Sequence, residues 1–332
     1  MFDSLVNFIR DQYRTDKFIP LHAPLFKGRE KELVMDTIDS TFVSSVGAYV
    51  DHFEKDMARF TASPRAVAVM NGTAALHIAL KLADVMPDDL VVTQSLTFVA
   101  TCNAIAYCNA EPLFVDVDRH TLGLSPAALD VWLSEHALID DHGDCRTRVG
   151  LRRIRACVPM HTFGHPVELD DLVAVCERWR LVLVEDAAES LGSYYKGRHT
   201  GNFGKIGIVS FNGNKILTTG GGGMLLTDEH TGKRAKHLTT TAKISHPYEF
   251  VHDEVGYNYR MPNLNAALGC AQLEQLPSFL ASKRVLAERY IEFFKGGDLK
   301  PIVEPENCYS NYWLNGVICR DGLQRDQLLK CT

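Results

Sequence analysis

The sequence contains no CxxC pair, no stretch approaching the roughly 20 apolar residues needed to cross a bilayer, and no excess of basic over acidic residues. Each absence removes a class of protein. Nine cysteines, at 102, 108, 145, 157, 176, 270, 308, 319 and 331, lie scattered without metal-binding spacing, which argues against a zinc site or a disulfide framework and fits a reducing cytosol. A net charge of -6, from 35 basic and 41 acidic residues, offers polyanions no general attraction, so a small molecule is a better partner than nucleic acid. The opening MFDSLVNFIRDQYRTDKFIP carries acids and reads as an amphipathic helix, not a signal peptide. A cytoplasmic protein with no membrane partner is expected. Internal repeats and low-complexity tracts are also missing.

What is present is an ordinary globular composition. Over 332 residues, 46% are hydrophobic and 23% charged, enough for one large domain and a smaller one. From Arg65 onward, apolar runs at 66–69, 90–93, 112–115, 154–158 and 181–184 alternate with helical patterns at 73–82, 99–107, 125–137 and 169–179. Continuous apolar strands between helices predict an α/β fold with a mainly parallel sheet covered on both faces. Two further strands are expected at 206–211 and 223–226, and 138–153 reads as a polar surface loop. After about Thr240 the rhythm changes to a long helix at 264–294 and a strand-like YWLNGVI at 312–318. The division expected is an N-terminal arm and large domain over 1–240 and a smaller domain over 241–332. The last residues, from Arg325, read as a helix only just begun.

Three segments carry chemistry. In SFNGNKILTTGGGGML, Lys215 follows a buried strand, at the edge of the sheet where α/β proteins place ligands and where an amine can serve as nucleophile or base. The glycines at 220–223 lack a following GK[ST] and precede a strand, so they predict a tight turn and not a phosphate loop. In LVLVEDAAES, an apolar strand ends in Glu185-Asp186, and a buried acid there needs a cationic or hydrogen-bonding partner to stay ionised. A capping role is the alternative. In VAVMNGTAALHIALKL, a strand passes through Asn71-Gly72-Thr73 into a helix whose first N–H groups and dipole favour an anion. Together these supply an anion cradle, a carboxylate for a ring nitrogen and a lysine, three things pyridoxal phosphate requires.

The ordered set NGTAAL (71–76), TFVAT (97–101), VEDAAES (184–190), SFNGNK (210–215) and GYNYRM (256–261) resembles the DegT/DnrJ/EryC1/StrS family of sugar aminotransferases. The resemblance implies a type I, aspartate aminotransferase-like fold and pyridoxal 5'-phosphate as cofactor. It implies that Lys215 holds the cofactor as a Schiff base and then moves the substrate proton, while Asp186 keeps the pyridine nitrogen protonated. It also places Phe98 against the ring, Glu189 near the ring oxygen, and Gly72, Thr73 and Ser210 at the phosphate. A carboxylate at 189 beside a phenolate requires a proton on one of them. Asn258, with Arg260 beside it, matches an asparagine donated to the phosphate from a second subunit, which implies a homodimer with shared active sites. The opening IPLH (19–22) and FVSSVG (42–47) are similar to the branch that aminates UDP-linked 4-keto-6-deoxy amino sugars, with L-glutamate as donor. Members of the family extend beyond the position of Thr332, which implies an incomplete small domain.

Two other functions stay open on the sequence. A dehydratase on the same scaffold would carry histidine in place of Lys215, and a non-catalytic sugar-nucleotide binding protein would fail to take up the cofactor.

Overall fold

The computed structural model describes residues 2–331. Seven strands, β1 (Arg65–Val69), β2 (Leu90–Gln94), β3 (Glu111–Val115), β4 (Ile154–Val158), β5 (Val182–Asp186), β6 (Ile206–Ser210) and β7 (Gly223–Thr227), form the central sheet. Their spatial order is β1-β7-β6-β5-β4-β2-β3. Only β7 runs against its neighbours, pairing antiparallel with both β1 and β6, so the carboxyl ends of the other six share one edge. This is the mainly parallel α/β sheet expected.

The helices are α1 (Asp3–Tyr13), α2 (Glu30–Asp39), α3 (Ala48–Thr61), α4 (Gly72–Leu82), α5 (Val99–Tyr107), α6 (Pro126–His136), α7 (Leu169–Arg178), α8 (Glu229–Thr239), α9 (Asn263–Phe294) and α10 (Gly322–Cys331). Alternate residues of each strand face opposite layers. Val67, Val69, Val91, Val158, Val184, Ile208 and Leu225 meet α4, α5 and α8 on one side. On the other side, Ala68, Val209 and Met224 meet α3 and α9, while Val92, Cys157 and Leu183 meet α6 and α7. Burial on both faces explains why these strands read as unbroken apolar runs. A smaller core joins Phe2, which precedes α1, and Leu5 of α1 to Phe294 and Leu299. Among the described residues no helix is long and apolar enough to cross a membrane.

Several sequence expectations need correction. The segment 138–153 is not simply a loop: Ala137–Ile139 and Cys145–Thr147 pair as a hairpin, turned by Asp140, which accepts the N–H groups of His142 and Asp144 at 2.9 Å. Strands of 3 residues are too short to display a period. The stretch 312–318 keeps strand geometry only at Val317–Ile318, because Tyr312 takes a left-handed φ of 45°. The opening helix ends at Tyr13, one residue before Arg14 turns left-handed at φ 50°. Helices α2, α3 and α8 had no counterpart in the sequence reading. Met1 and Thr332, at the ends of two helical readings, lie outside the described residues.

The glycine run behaves as the turn expected. It brings β7 back beside β6, with Phe211 N–H bonded to the Gly222 carbonyl at 2.9 Å. A Cβ on Gly223 would lie 2.5 Å from the backbone of Asn71 and 2.7 Å from Gly72 N, so only glycine lets β7 start so close to the head of α4.

Candidate active site

The shared strand edge holds a cavity of about 330 Å³. Gly72, Thr73, Phe98, Asp186, Glu189, Ser210 and Lys215 all line it, so every residue singled out for the cofactor except Asn258 converges there. The topology is the reason: Gly72 and Thr73 follow β1, Asp186 ends β5, Ser210 ends β6, and Phe98 caps α5 a few residues after β2.

Asn71 caps α4 by accepting the Ala74 N–H at 2.8 Å. The N–H groups of Gly72 and Thr73, in the first turn, have no acceptor within the helix, and with the Ser210 hydroxyl they make a donor-rich corner of a kind that suits an anion. Their closeness again needs glycine, since a Cβ on Gly72 would stand 3.0 Å from Ser210 Cβ.

Asp186 is 2% exposed. Its carboxylate accepts the Thr101 hydroxyl at 2.8 Å and the Ala188 N–H at 3.2 Å. Burial nevertheless pushes its pKa above the ordinary carboxylate value, with these bonds and the charge of Lys215 opposing. No basic side chain among the described residues forms an ion pair with it. Capping accounts for only part of this carboxylate, because Asp186 accepts one N–H of the following turn, takes its other bond from Thr101 of α5, and also lines the cavity.

Lys215 is held in the turn after β6 by its N–H to the Asn212 carbonyl at 3.0 Å. Its Nζ lies 3.5 Å from Glu189 Oε1 and 4.1 Å from the centre of the Trp313 ring. The indole donates to the Asn214 carbonyl at 2.7 Å, fixing the ring under the amine. Glu189 also accepts the Phe163 N–H at 2.9 Å, and burial pushes its pKa up. That direction favours the proton its position beside a phenolate would require. Phe98 is 63% exposed and stands at the cavity mouth, so it is no core aromatic.

Asn258 is exposed and lies outside the cavity of its own chain, where its side-chain oxygen accepts Arg260 Nε at 3.1 Å. Two contributors escaped the sequence reading. Thr101 was part of a quoted motif without a role; its spacing, one turn into the helix that Phe98 caps, was the available signal. Trp313 sits 98 residues beyond Lys215 in a segment read as strand, and nothing local pointed to it.

These residues fit the cofactor. A helix-headed anion corner suits a phosphate, a buried acid without a basic partner suits a protonated ring nitrogen, Phe98 offers a flat apolar face, and Lys215 offers an amine.

Comparison with known proteins agrees. The DegT/DnrJ/EryC1/StrS aminotransferase family model matches residues 24–331. The chain is 35% identical over 317 residues to GDP-perosamine synthase of Escherichia coli O157:H7, covering 94% of this chain and 81% of that protein. Among solved structures it is similar to the aminotransferase TlmJ from Streptoalloteichus hindustanus, with a TM-score of 0.83 at 30% identity over 94% of this chain and 81% of that one. It is also similar to S. venezuelae DesV, solved with a ketimine intermediate, with a TM-score of 0.80 at 26% identity, covering 91% and 77%. The chain belongs to the DegT/DnrJ/EryC1/StrS family and is a pyridoxal phosphate-dependent aminotransferase.

Proposed function

We propose that this aminotransferase moves an amino group from an amino acid, L-glutamate, to the C4 keto group of a UDP-linked 4-keto-6-deoxy amino sugar, in the cytoplasm, for surface glycan or nonulosonic acid synthesis. The observation that carries the reading is a lysine facing the same cavity as a buried aspartate that lacks a basic partner. A dehydratase of this scaffold would have histidine at 215, and a protein that merely binds sugar nucleotides has no use for the buried acid. The UDP assignment rests on IPLH (19–22) and FVSSVG (42–47). The relative named GDP-perosamine synthase makes a GDP-linked sugar by its name, which favours GDP as the second reading of the nucleotide.

When bound, the cofactor supplies an electron-accepting ring that stabilises a carbanion at the donor carbon. The chain's own residues do the rest. Lys215 Nζ would hold the cofactor covalently and, once freed by the incoming amino donor, would move the proton from the donor carbon to the cofactor C4' carbon. Asp186, oriented by Thr101 and Ala188, holds the proton on the ring nitrogen. Gly72, Thr73 and Ser210 hold the phosphate, Phe98 covers the ring, and Glu189 with Trp313 positions the amine. Asn258 and Arg260 serve the phosphate of a neighbouring copy in a homodimer, in keeping with an exposed Asn258 and a half-buried Arg260 that both lie outside their own chain's cavity.

The test is incubation of the purified protein with pyridoxal phosphate, glutamate and UDP-, dTDP- and GDP-linked 4-keto sugars, followed by product identification. A UDP-linked 4-amino sugar is expected. A product from GDP sugars alone overturns the nucleotide, and amination at another carbon overturns the position. For the shared site, mixing Lys215→Ala with Asn258→Ala protein is expected to restore activity, because a heterodimer collects both defects in one site and leaves the other intact. No recovery despite proven exchange overturns the sharing.

A further inference from the structure

A second cavity, of about 510 Å³, adjoins the first, and Lys215 lines both. It lies between the chain segment 13–25 and one face of α9, from which Ser278, Ser282 and Lys283 face it. No aspartate or glutamate lines this cavity, yet two lysines do.

We propose that Lys283 forms a subsite for an anionic group of one of the two substrates, positioning that substrate for reaction at Lys215. The subsite rests on the functional reading of Lys215 given above. Lys283 makes no ion pair with any described carboxylate. Its Nζ donates once, to the Trp313 carbonyl at 2.9 Å, and an ammonium has three donors, so two remain for a ligand. Burial pushes its pKa down to about 8, which leaves it largely protonated at neutral pH. A half-buried cation without a counter-charge carries part of the desolvation cost of a buried one, and an entering oxyanion offsets it. His22 faces the same cavity; burial and the charges of Lys283 and Lys215 push its pKa down to about 4, so it stays neutral and does not compete for the anion. Ile216, with Phe279 and Leu286 on the side of α9, supplies apolar walls, where a charged pair is screened less than in open water.

Both substrates carry a suitable group: the distal carboxylate of a dicarboxylic amino donor and the diphosphate of a nucleotide sugar. Calorimetric titration of the holoenzyme with glutarate and with UDP separates them. Lys283→Met is expected to weaken one probe about tenfold or more, with Lys283→Arg recovering most of the loss. Loss confined to glutarate assigns the donor carboxylate, and loss confined to UDP assigns the diphosphate. Lys283→Gln is the second variant, since its amide can keep the bond to the Trp313 carbonyl while removing the charge; it is expected to weaken the same probe. Unchanged affinity for both probes in Lys283→Gln, or no binding of either to the wild type, overturns the subsite. Binding is read without turnover. Failure to aminate a sugar therefore leaves this result standing, and turnover with unaltered probe affinity removes the subsite alone.

Discussion

Glu185 and Asp186 are consecutive residues, both buried at the end of β5, and they meet opposite surroundings on the two faces of the sheet. Glu185 accepts the N–H groups of Gly201, Phe203 and Gly204 at 2.8, 2.6 and 2.7 Å and lies 3.2 Å from His161 Nε2. Burial raises its pKa, but these bonds outweigh burial and hold it below the ordinary value. Asp186 accepts only the Thr101 hydroxyl and the Ala188 N–H, and burial wins. A satisfied buried acid serves the fold, whereas an incompletely satisfied one facing a cavity serves a ligand.

The comparison breaks most visibly in catalysis. Asp186→Asn is expected to lower kcat by on the order of a hundredfold or more, because a neutral partner no longer keeps the ring nitrogen protonated. Single-turnover absorbance with glutamate reads this directly. Near wild-type rates would make Asp186 structural.

Stability should show the opposite ranking. Glu185→Gln places an amide among backbone donors and is expected to cost about 3 kcal/mol, measured by denaturant unfolding, while Asp186→Asn apoprotein is as stable as wild type or more so at neutral pH. The signs follow from linkage. Glu185, with its folded pKa depressed, contributes stability above the unfolded value, and that contribution is lost as pH falls through the folded pKa. Asp186, with its folded pKa raised, favours the folded apoprotein only while protonated, and that advantage is lost as pH rises through the folded pKa. Acidification should therefore shrink both differences from wild type. Parallel shifts at all pH values would contradict the contrast.

Smaller changes sharpen it. Thr101→Val removes the 2.8 Å bond to Asp186, and about a tenfold loss in kcat is expected, with the acidic limb of the rate profile moved to higher pH. Trp313→Phe loses the indole bond to Asn214 and weakens the ring under Lys215, for about 1 kcal/mol or roughly a fivefold loss in kcat/KM.

How far the sequence disclosed this depends on whether a signal is local. Unbroken apolar strands, the Asn71-Gly72-Thr73 helix head and the lysine after β6 all announce themselves within a few residues, and the sheet then carries them to one edge. The contrast between Glu185 and Asp186 was not visible, because two adjacent acids look alike until strand alternation sends them to different faces. Glu185 is satisfied by a turn 16 to 19 residues downstream, which only the tertiary structure brings beneath it. Trp313 and Lys283 were hidden for the same reason, since each reaches Lys215's surroundings from a distant segment. The short hairpin at 137–147 lacked enough residues to show a pattern.

The central claim is that this strand edge holds pyridoxal phosphate through Lys215. Borohydride reduction of the holoenzyme, followed by peptide mass mapping, tests it most directly. The account predicts pyridoxyl mass fixed on Lys215, with none on Lys215→Ala protein. Label on another lysine, or none on folded, cofactor-loaded protein, would contradict it.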